Sequence, residues 1–262
     1  MTGRRPVIDH GRVLPKLAGI LMKTFLNLGL SAFVGAWLMT GCASSSCCDD
    51  GSCPVPTKTA WKPLFDGKSL AGWRAYNKTA TPPGPGWVVE NGILKKKDKV
   101  AGGDIITEKK FNNFELAWEW KVMPGANNGV KYLVTEERPT APGHEYQMLD
   151  DERHPDGKIG PKRQTASFYE VIAPVADRPT KPAGEWNTSR ILLQGNHVEH
   201  WLNGKKVVEY ELGSDAVKAA VALSKFKNAK GFGEKIEGHI MLTDHQDEAW
   251  FRNMKIRELP AK

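Results

Sequence analysis

The sequence predicts an all-β protein built as a sandwich or a barrel, and three observations support this. The 262 residues include nine Trp, 26 Gly and 17 Pro, a composition typical of strands joined by many turns. Short segments in which apolar and polar residues alternate recur along the chain. The dipeptides Asn91-Gly92 and Asn203-Gly204 separate such segments, and Asn-Gly is a strong signal for a two-residue hairpin turn. Helical bundles and βαβ proteins are both disfavoured.

Residues 114–122 show the alternation most clearly. Trp118 and Trp120 fall on one face of this segment, whereas Glu115 and Glu119 fall on the other. One apolar and one polar face are typical of a half-buried antiparallel strand. Further strands are predicted at residues 87–90, 93–97, 130–134, 145–149, 167–172, 190–193, 197–202, 207–211, 239–242 and 250–257.

Two other segments receive a separate interpretation. Residues 214–223 are rich in alanine, and Ser214 or Asp215 can cap their start, which predicts a short helix inserted between strands. The three consecutive lysines Lys95–Lys97 follow a hairpin signal, and we interpret them as a solvated strand end.

The beginning of the chain has the pattern of a secreted, lipid-anchored protein. Residues 22–42 contain a lysine, an apolar stretch and then small residues directly before Cys42. We therefore expect residues 1–41 to be a lipoprotein signal peptide, with Met22 as an alternative start, and Cys42 to carry the lipid. Residues 42–60 would then be a linker and residues 61–262 the folded domain, held at the bacterial cell envelope on the periplasmic or outer-membrane face. An uncleaved membrane anchor is the alternative.

Charge and cysteine usage exclude other classes of protein. Of the net charge of +7, +4 precedes Cys42, which leaves +3 for the remainder and no case for a nucleic-acid partner. All four cysteines lie within residues 42–53, so the folded domain is not held together by disulfides.

Several short strings occur in a fixed order along residues 61–259. Those that matter most are Leu64-Phe65-Asp66-Gly67-Lys68, Gly129-Val130-Lys131-Tyr132, Glu145-Tyr146-Gln147-Met148-Leu149, Gly184-Glu185-Trp186-Asn187, His200-Trp201-Leu202-Asn203-Gly204, Ser224-Lys225-Phe226 and Asp244-His245. Together they resemble the 3-keto-disaccharide hydrolase domain family. The resemblance implies a concanavalin A-like β-sandwich, or jelly roll, and an enzyme acting on sugars oxidised to a ketone at C3. The chain departs from the family pattern at Asn128, Thr243 and Gln246, where Ser, Gln and Gly are usual.

Glu145 and Gln147 are two residues apart in a predicted strand, so their side chains should share one face. Related lectin and glucanase folds carry Glu-x-Asp-x-x-Glu on such a strand, and two of its carboxylates are catalytic. Here the pattern reads Glu145, Gln147 and Asp150. A retaining glycosidase needs two carboxyl groups close together, so direct cleavage of an unoxidised glycoside is the weaker interpretation.

A ketone at C3 changes the chemical requirement. It acidifies the proton on C2, so one base can start an elimination of the C1 substituent, and water then completes a net hydrolysis. Glu145 and His245 are the candidates for the base, while Gln147 and Lys131 could orient the ketone or the ring hydroxyls. The remaining candidates for contacting substrate are Tyr169, Asp150 and Trp186, the last as a stacking platform.

Several alternatives stay open on the sequence alone. Glu145 could simply pair with a cross-strand lysine, and His245 could be a turn histidine without a role. A divalent cation is the one cofactor to consider, and its candidate ligands are His144, His154, Asp150 and Asp151. The whole domain could also be a non-catalytic carbohydrate-binding module.

Overall fold

A computed structural model describes residues 60–76 and 81–261 of the chain. The predicted signal peptide, the lipidation site Cys42 and the linker up to residue 59 lie outside these residues. No helix among the described residues is long and apolar enough to cross a membrane.

Within the described part, thirteen strands form two antiparallel sheets, accompanied by two short α-helices and one turn of 3₁₀-helix. In chain order the elements are β1 (Lys62–Pro63), β2 (Trp73–Ala75), β3 (Trp87–Glu90), β4 (Ile93–Lys96), β5 (Ile105–Thr107), β6 (Phe114–Val122), β7 (Asn127–Val134), β8 (His144–Leu149), α1 (Pro155–Ile159), the 3₁₀ turn (Pro161–Arg163), β9 (Asn187–Gln194), β10 (His197–Leu202), β11 (Lys205–Glu211), α2 (Asp215–Ala222), β12 (His239–Leu242) and β13 (Ala249–Glu258).

The two sheets pack face to face around one core. The larger sheet has the order β11-β10-β9-β6-β13-β4-β3, with β1 added on β13, and the smaller has the order β2-β5-β12-β7-β8. Trp118 of the larger sheet meets Tyr146 of the smaller one, with ring centroids 5.0 Å apart. The hydroxyl groups of Tyr146 and Ser189 also hydrogen-bond across the core, at 2.8 Å. The predicted all-β, concanavalin A-like sandwich with a short inserted helix is therefore confirmed.

The local signals in the sequence agree with the observed elements. Strands β6, β10 and β12 begin and end at the predicted residues. Asn91 and Gly92 have φ values of 53° and 77°, as a type I′ hairpin turn requires. The predicted helix is α2, and the Ser214 hydroxyl accepts a hydrogen bond from the Val217 amide at its start.

The strand predicted at residues 167–172 is wrong. Ala166 and Glu170 adopt positive φ values of 69° and 68°, which interrupt an extended chain. Phe168 makes only isolated bridges, to Tyr146 and Ile172, and its ring is buried in the core. The alternation in this segment therefore reflects a loop that inserts one aromatic side chain into the sandwich.

The interpretation of Lys95–Lys97 as solvated is wrong for Lys96. Its side chain is fully buried, and its ammonium pairs with the Asp244 carboxylate at 2.9 Å. The same ammonium donates hydrogen bonds to the carbonyls of Lys97 and Val100, each at 2.8 Å. Because β4 belongs to the larger sheet and Asp244 follows β12 of the smaller one, this ion pair joins the two sheets.

A chain of buried hydrogen bonds fixes the protonation of His200. Its Nδ1 lies 2.9 Å from the Ala166 carbonyl, which can only accept, so Nδ1 carries the proton. Its Nε2 then accepts from the Tyr132 hydroxyl at 2.8 Å, and Tyr132 in turn accepts from Tyr210. This network holds His200 as a neutral imidazole in the core.

Stability should decrease as the pH falls below about 6.5. Burial lowers the pKa of His144 to about 3 and that of His200 to about 4, from 6.5. The unfolded chain therefore binds protons at both side chains over an interval in which the folded protein does not. We expect the free energy of unfolding to drop, by on the order of a few kcal/mol, between pH 7 and pH 4.

Urea denaturation across this pH range measures the effect. The variant His200→Gln removes one of the two groups and should flatten the dependence, whatever its own stability at pH 7. Equal pH slopes in the variant and the natural protein would contradict the assignment of His200.

Candidate functional site

A cleft of about 120 Å³ lies on the outer face of the smaller sheet. Strands β7 and β8 form its floor, because Tyr132 and Tyr146 point into the core and the alternate residues point outward. Loops that follow β7, the 3₁₀ turn, α2 and β12 form its walls. Its lining residues are Asn127, Lys131, Thr140, Ala141, Pro142, Gly143, Glu145, Gln147, Tyr169, Lys225, Phe226 and His245.

The cleft brings together five of the seven site residues predicted from the sequence. They are Glu145, Gln147, His245, Lys131 and Tyr169. Glu145 and Gln147 share one face of β8, as strand parity indicates, and both are buried at the cleft floor. The roles assigned to these residues stay predictions, whereas their proximity is a feature of the fold.

Strand β7 holds the Glu145 side chain in place. Lys131 is the direct cross-strand partner of Glu145, and its Nζ lies 3.6 Å from Oε2 of that carboxylate. Gly129 leaves the space that the carboxylate occupies, because a Cβ atom there would lie 2.2 Å from Oε1 of Glu145. The cross-strand pairing considered from the sequence is thus present, and it fixes a carboxylate that lines the cleft.

Gln147 sits deeper in the same floor and carries no charge. Its side-chain amide donates to the Arg163 carbonyl at 3.4 Å, and its oxygen accepts from the Met148 amide at 3.3 Å. Among the described residues that line the cleft, Glu145 is consequently the one carboxylate.

Tyr169 belongs to a hydrogen-bonded network along one wall. Its hydroxyl donates to the Asp156 carboxylate at 2.7 Å and accepts from the Lys225 ammonium at 3.1 Å. Burial and the charge of Asp156 raise the pKa of Tyr169, so the phenol stays protonated. Burial would raise the pKa of Asp156, but hydrogen bonds from Tyr169 and Arg163 hold it below the usual value.

His245 is exposed at the edge of the cleft, in the turn after β12. The preceding residue anchors this turn, because the Asp244 carboxylate accepts from the amides of Gly102 and Gly103, each at 2.7 Å. Burial would raise the pKa of Asp244, but the hydrogen bond from Lys96 and those from backbone amides keep it below its ordinary value. Asp244 is therefore a structural anchor for the position of His245.

The structure does not bring Asp150 or Trp186 to the cleft. The Asp150 carboxylate accepts from the Gly125 amide at 2.8 Å and pairs with Arg153 at 3.1 Å, beside a separate cavity of about 450 Å³. Trp186 lies on the outer face of the larger sheet, with the Arg252 guanidinium 4.0 Å from its ring centroid. Substrate contact by either residue is not supported by these positions.

The four candidate cation ligands are not assembled either. The His144 ring is buried among aromatic side chains, 4.7 Å from the ring of Phe168, and its Nε2 accepts from the Gly233 amide. His154 accepts from the Asp156 amide and caps α1. Within the described ranges, the three side chains close enough to share a metal ion are His197, Glu199 and Glu209, on β10 and β11.

Comparison with known proteins decides the family. Residues 60–257 match the sequence profile of the 3-keto-alpha-glucoside-1,2-lyase-like domain. The chain belongs to this family. It is 37% identical to a 3-keto-disaccharide hydrolase of Bacteroides thetaiotaomicron, over 75% of this chain and 77% of that protein. The resemblance drawn from the sequence motifs is confirmed.

Two crystal structures of candidate glycosyl hydrolases from Parabacteroides distasonis share the fold. One is 32% identical with a TM-score of 0.68, and the alignment covers 76% of this chain and 94% of that one. The other is 31% identical with a TM-score of 0.61, covering 77% of this chain and all of the other.

Among the cleft residues that the sequence analysis does not assign to the site, Lys225 is the one with a charged side chain. Lys225 appeared only as part of the string Ser224-Lys225-Phe226, with no role attached. Its position in the loop after α2, against Tyr169, depends on how that loop folds over the sheet. The motif itself was the available signal, since it placed Lys225 among the residues shared with the family.

Proposed function

We propose that this protein cleaves 3-keto-glycosides by eliminating the C1 substituent across C1 and C2 and then adding water. The observation that carries the proposal is a cleft with a single carboxylate, Glu145, beside Gln147, where a retaining glycosidase needs a second carboxyl group. Membership of the family and the name of the Bacteroides relative support a carbohydrate substrate. The protein is thus a sugar-cleaving hydrolase whose chemistry needs one base.

The first step is removal of the C2 proton by the Glu145 carboxylate. The electron pair of the C2–H bond forms a C2=C3 double bond, and the pair of the C3 carbonyl moves onto its oxygen. The Glu145 side chain suits this task because Gly129 and Lys131 hold it in one position within the cleft.

The second step expels the leaving group. The enolate oxygen re-forms the C3 carbonyl, the former C2=C3 pair becomes a C1=C2 double bond, and the bond from C1 to the glycosidic oxygen breaks. That oxygen takes a proton, for which His245 at the cleft edge is the available donor. Water then adds to C1, C2 regains a proton, and the net reaction is hydrolysis.

Lys131 and Gln147 orient the substrate in this proposal. Lys131 lies opposite Glu145 on β7 and Gln147 follows Glu145 two residues later on β8, and both line the cleft, where their polar groups match ring hydroxyls as hydrogen-bond partners. Tyr169 contributes a protonated phenol to the same wall.

The proposal includes a place in the cell. The segment that ends at Cys42 has the pattern of a lipoprotein signal, which supports a lipid-anchored protein in the bacterial cell envelope. Metabolic labelling with a fatty-acid analogue tests this, and a Cys42→Ala variant should lose both the label and the membrane fraction. Unchanged labelling of that variant would contradict it.

The activity is tested with a 3-keto-disaccharide beside its unoxidised parent, each with and without a chelator. We expect sugar release from the oxidised substrate alone. The conjugated C1=C2–C3=O intermediate should also absorb transiently in the near ultraviolet. Release from the parent would favour a conventional glycosidase, and binding without release from either sugar would favour a carbohydrate-binding module. A loss of activity with chelator would add a required cation.

A further inference from the structure

Lys225 stands on the rim of the cleft with its ammonium directed over Tyr169. The residue is exposed, and its Nζ lies 4.2 Å from the centroid of the Tyr169 ring and 3.1 Å from the Tyr169 hydroxyl. The same Nζ also lies 5.3 Å from the centroid of the Phe226 ring. Among the described residues, Lys225 makes no ion pair, so most of its donor capacity stays available to a bound molecule.

The other lysine of the cleft is in a different position. Lys131 is paired with the Glu145 carboxylate, so its charge serves to hold the base. An enolate that forms next to Glu145 needs a hydrogen-bond donor other than Lys131. The Lys131 ammonium is already paired with the Glu145 carboxylate, so it stabilises a new negative charge on the substrate oxygen less well.

Charged groups on several neighbouring elements influence the Lys225 ammonium. Glu145 of β8, Glu170 and Asp156 favour the ammonium form, whereas Arg163 opposes it. Burial of the ammonium has the largest influence and lowers the pKa of Lys225. Lys131 and His245 complete the titratable groups of the cleft.

We propose that Lys225 is the donor that stabilises the C3 enolate oxygen, and that Tyr169 positions it. As Glu145 takes the C2 proton and the carbonyl pair moves onto oxygen, an N–H of Lys225 hydrogen-bonds to that oxygen. The bond is released when the carbonyl re-forms and the C1 substituent leaves. This assignment rests on the proposed function. By stabilising the enolate, Lys225 makes the C2 proton acidic enough for a carboxylate to remove.

Tyr169 acts through Lys225 and not on the reacting atoms. Its hydroxyl donates to Asp156, so its lone pair faces the Lys225 ammonium and fixes one of the three N–H directions. A Tyr169→Phe variant should reduce kcat by about tenfold or less, with a smaller change in KM.

Two readouts test the proposal on the full-length protein. The first is turnover of a 3-keto-disaccharide, and the second is exchange of the C2 proton for deuterium in a 3-keto sugar with no leaving group at C1. Lys225→Met should reduce kcat and the exchange rate together, by about 10²–10³-fold, with KM changed little. Lys227→Met is the matched control, because Lys227 is exposed two residues further along and does not line the cleft.

Lys225→Arg supplies an independent test through the pH profile. The natural protein should lose activity on the alkaline side as Lys225 gives up its proton. Arginine keeps its charge at high pH, so the variant should retain part of the activity, and its activity should not decrease on the alkaline side. The same alkaline decrease in Lys225→Arg as in the natural protein would overturn the assignment. This test remains valid even if Lys225→Met is too unstable to measure.

Failures of the two proposals are distinguishable. If the natural protein releases no sugar from the 3-keto substrate, the proposed function is overturned, and this inference with it. If the natural protein is active but Lys225→Met behaves like Lys227→Met, only the role of Lys225 is overturned.

Discussion

Replacing Glu145 by Gln should reduce sugar release from a 3-keto-disaccharide by about 10²–10⁴-fold, because an amide of the same size cannot accept the C2 proton. The fold should persist, since the shape of the side chain is retained against Gly129. Initial rates measure the loss, and deuterium exchange at C2 shows whether proton removal itself has stopped.

Three further variants make this test specific. Glu209→Gln changes an exposed carboxylate on β11, outside the cleft lining, and should leave activity unchanged. Gly129→Ala should reduce activity because the added methyl group displaces the Glu145 carboxylate, although the Glu145 and His245 side chains are both still present. His245→Gln should slow bond cleavage but not C2 exchange. If C2 exchange instead survives in Glu145→Gln and disappears in His245→Gln, then His245 is the base.

Replacing Asp244 by Ala should destabilise the folded protein by about 3–5 kcal/mol, because the variant leaves the Lys96 ammonium buried without its partner. It also removes the acceptor for the amides of Gly102 and Gly103. Urea denaturation at neutral pH measures the change.

The neighbouring lysine provides the matched control. Lys95 pairs with Glu90 at 2.6 Å, but the Glu90 side chain is 54% exposed, so Glu90→Ala should cost less than about 1 kcal/mol. Adding Lys96→Met to Asp244→Ala should restore part of the lost stability, since no unpaired charge then stays in the core. A cost for Asp244→Ala as small as that for Glu90→Ala would contradict the role of this buried pair.

The parts of the fold that depend only on residues adjacent in the sequence could be predicted from the sequence. From Leu116 to Val122, strand β6 alternates between buried and half-buried residues, and the hairpin turn at Asn91-Gly92 needs only local conformation. Strand parity likewise put Glu145 and Gln147 on one face of β8. These features are set by backbone geometry and need no knowledge of the rest of the chain.

The features that depend on distant parts of the chain were not accessible. The sequence predicts a solvated Lys96 because its partner Asp244 lies far along the chain, in the turn after β12 of the other sheet. Asp150 follows the end of β8, where the chain turns and parity no longer applies. Trp186 lies in a loop before β9, and nothing local indicates that its ring packs against Arg252.

The tryptophans of the described residues are all absent from the lining of the cleft, where Tyr169 and Phe226 are the aromatic side chains. The large tryptophan rings lie in the core and on the outer face of the larger sheet. Under the proposed function, we therefore expect a sugar to be recognised mainly through hydrogen bonds and charge. Such a site discriminates strongly against a molecule that lacks one expected polar group. Under this proposal, a change of substrate preference needs the exchange of only one or two polar residues at the cleft, on the face of the smaller sheet that points away from the core.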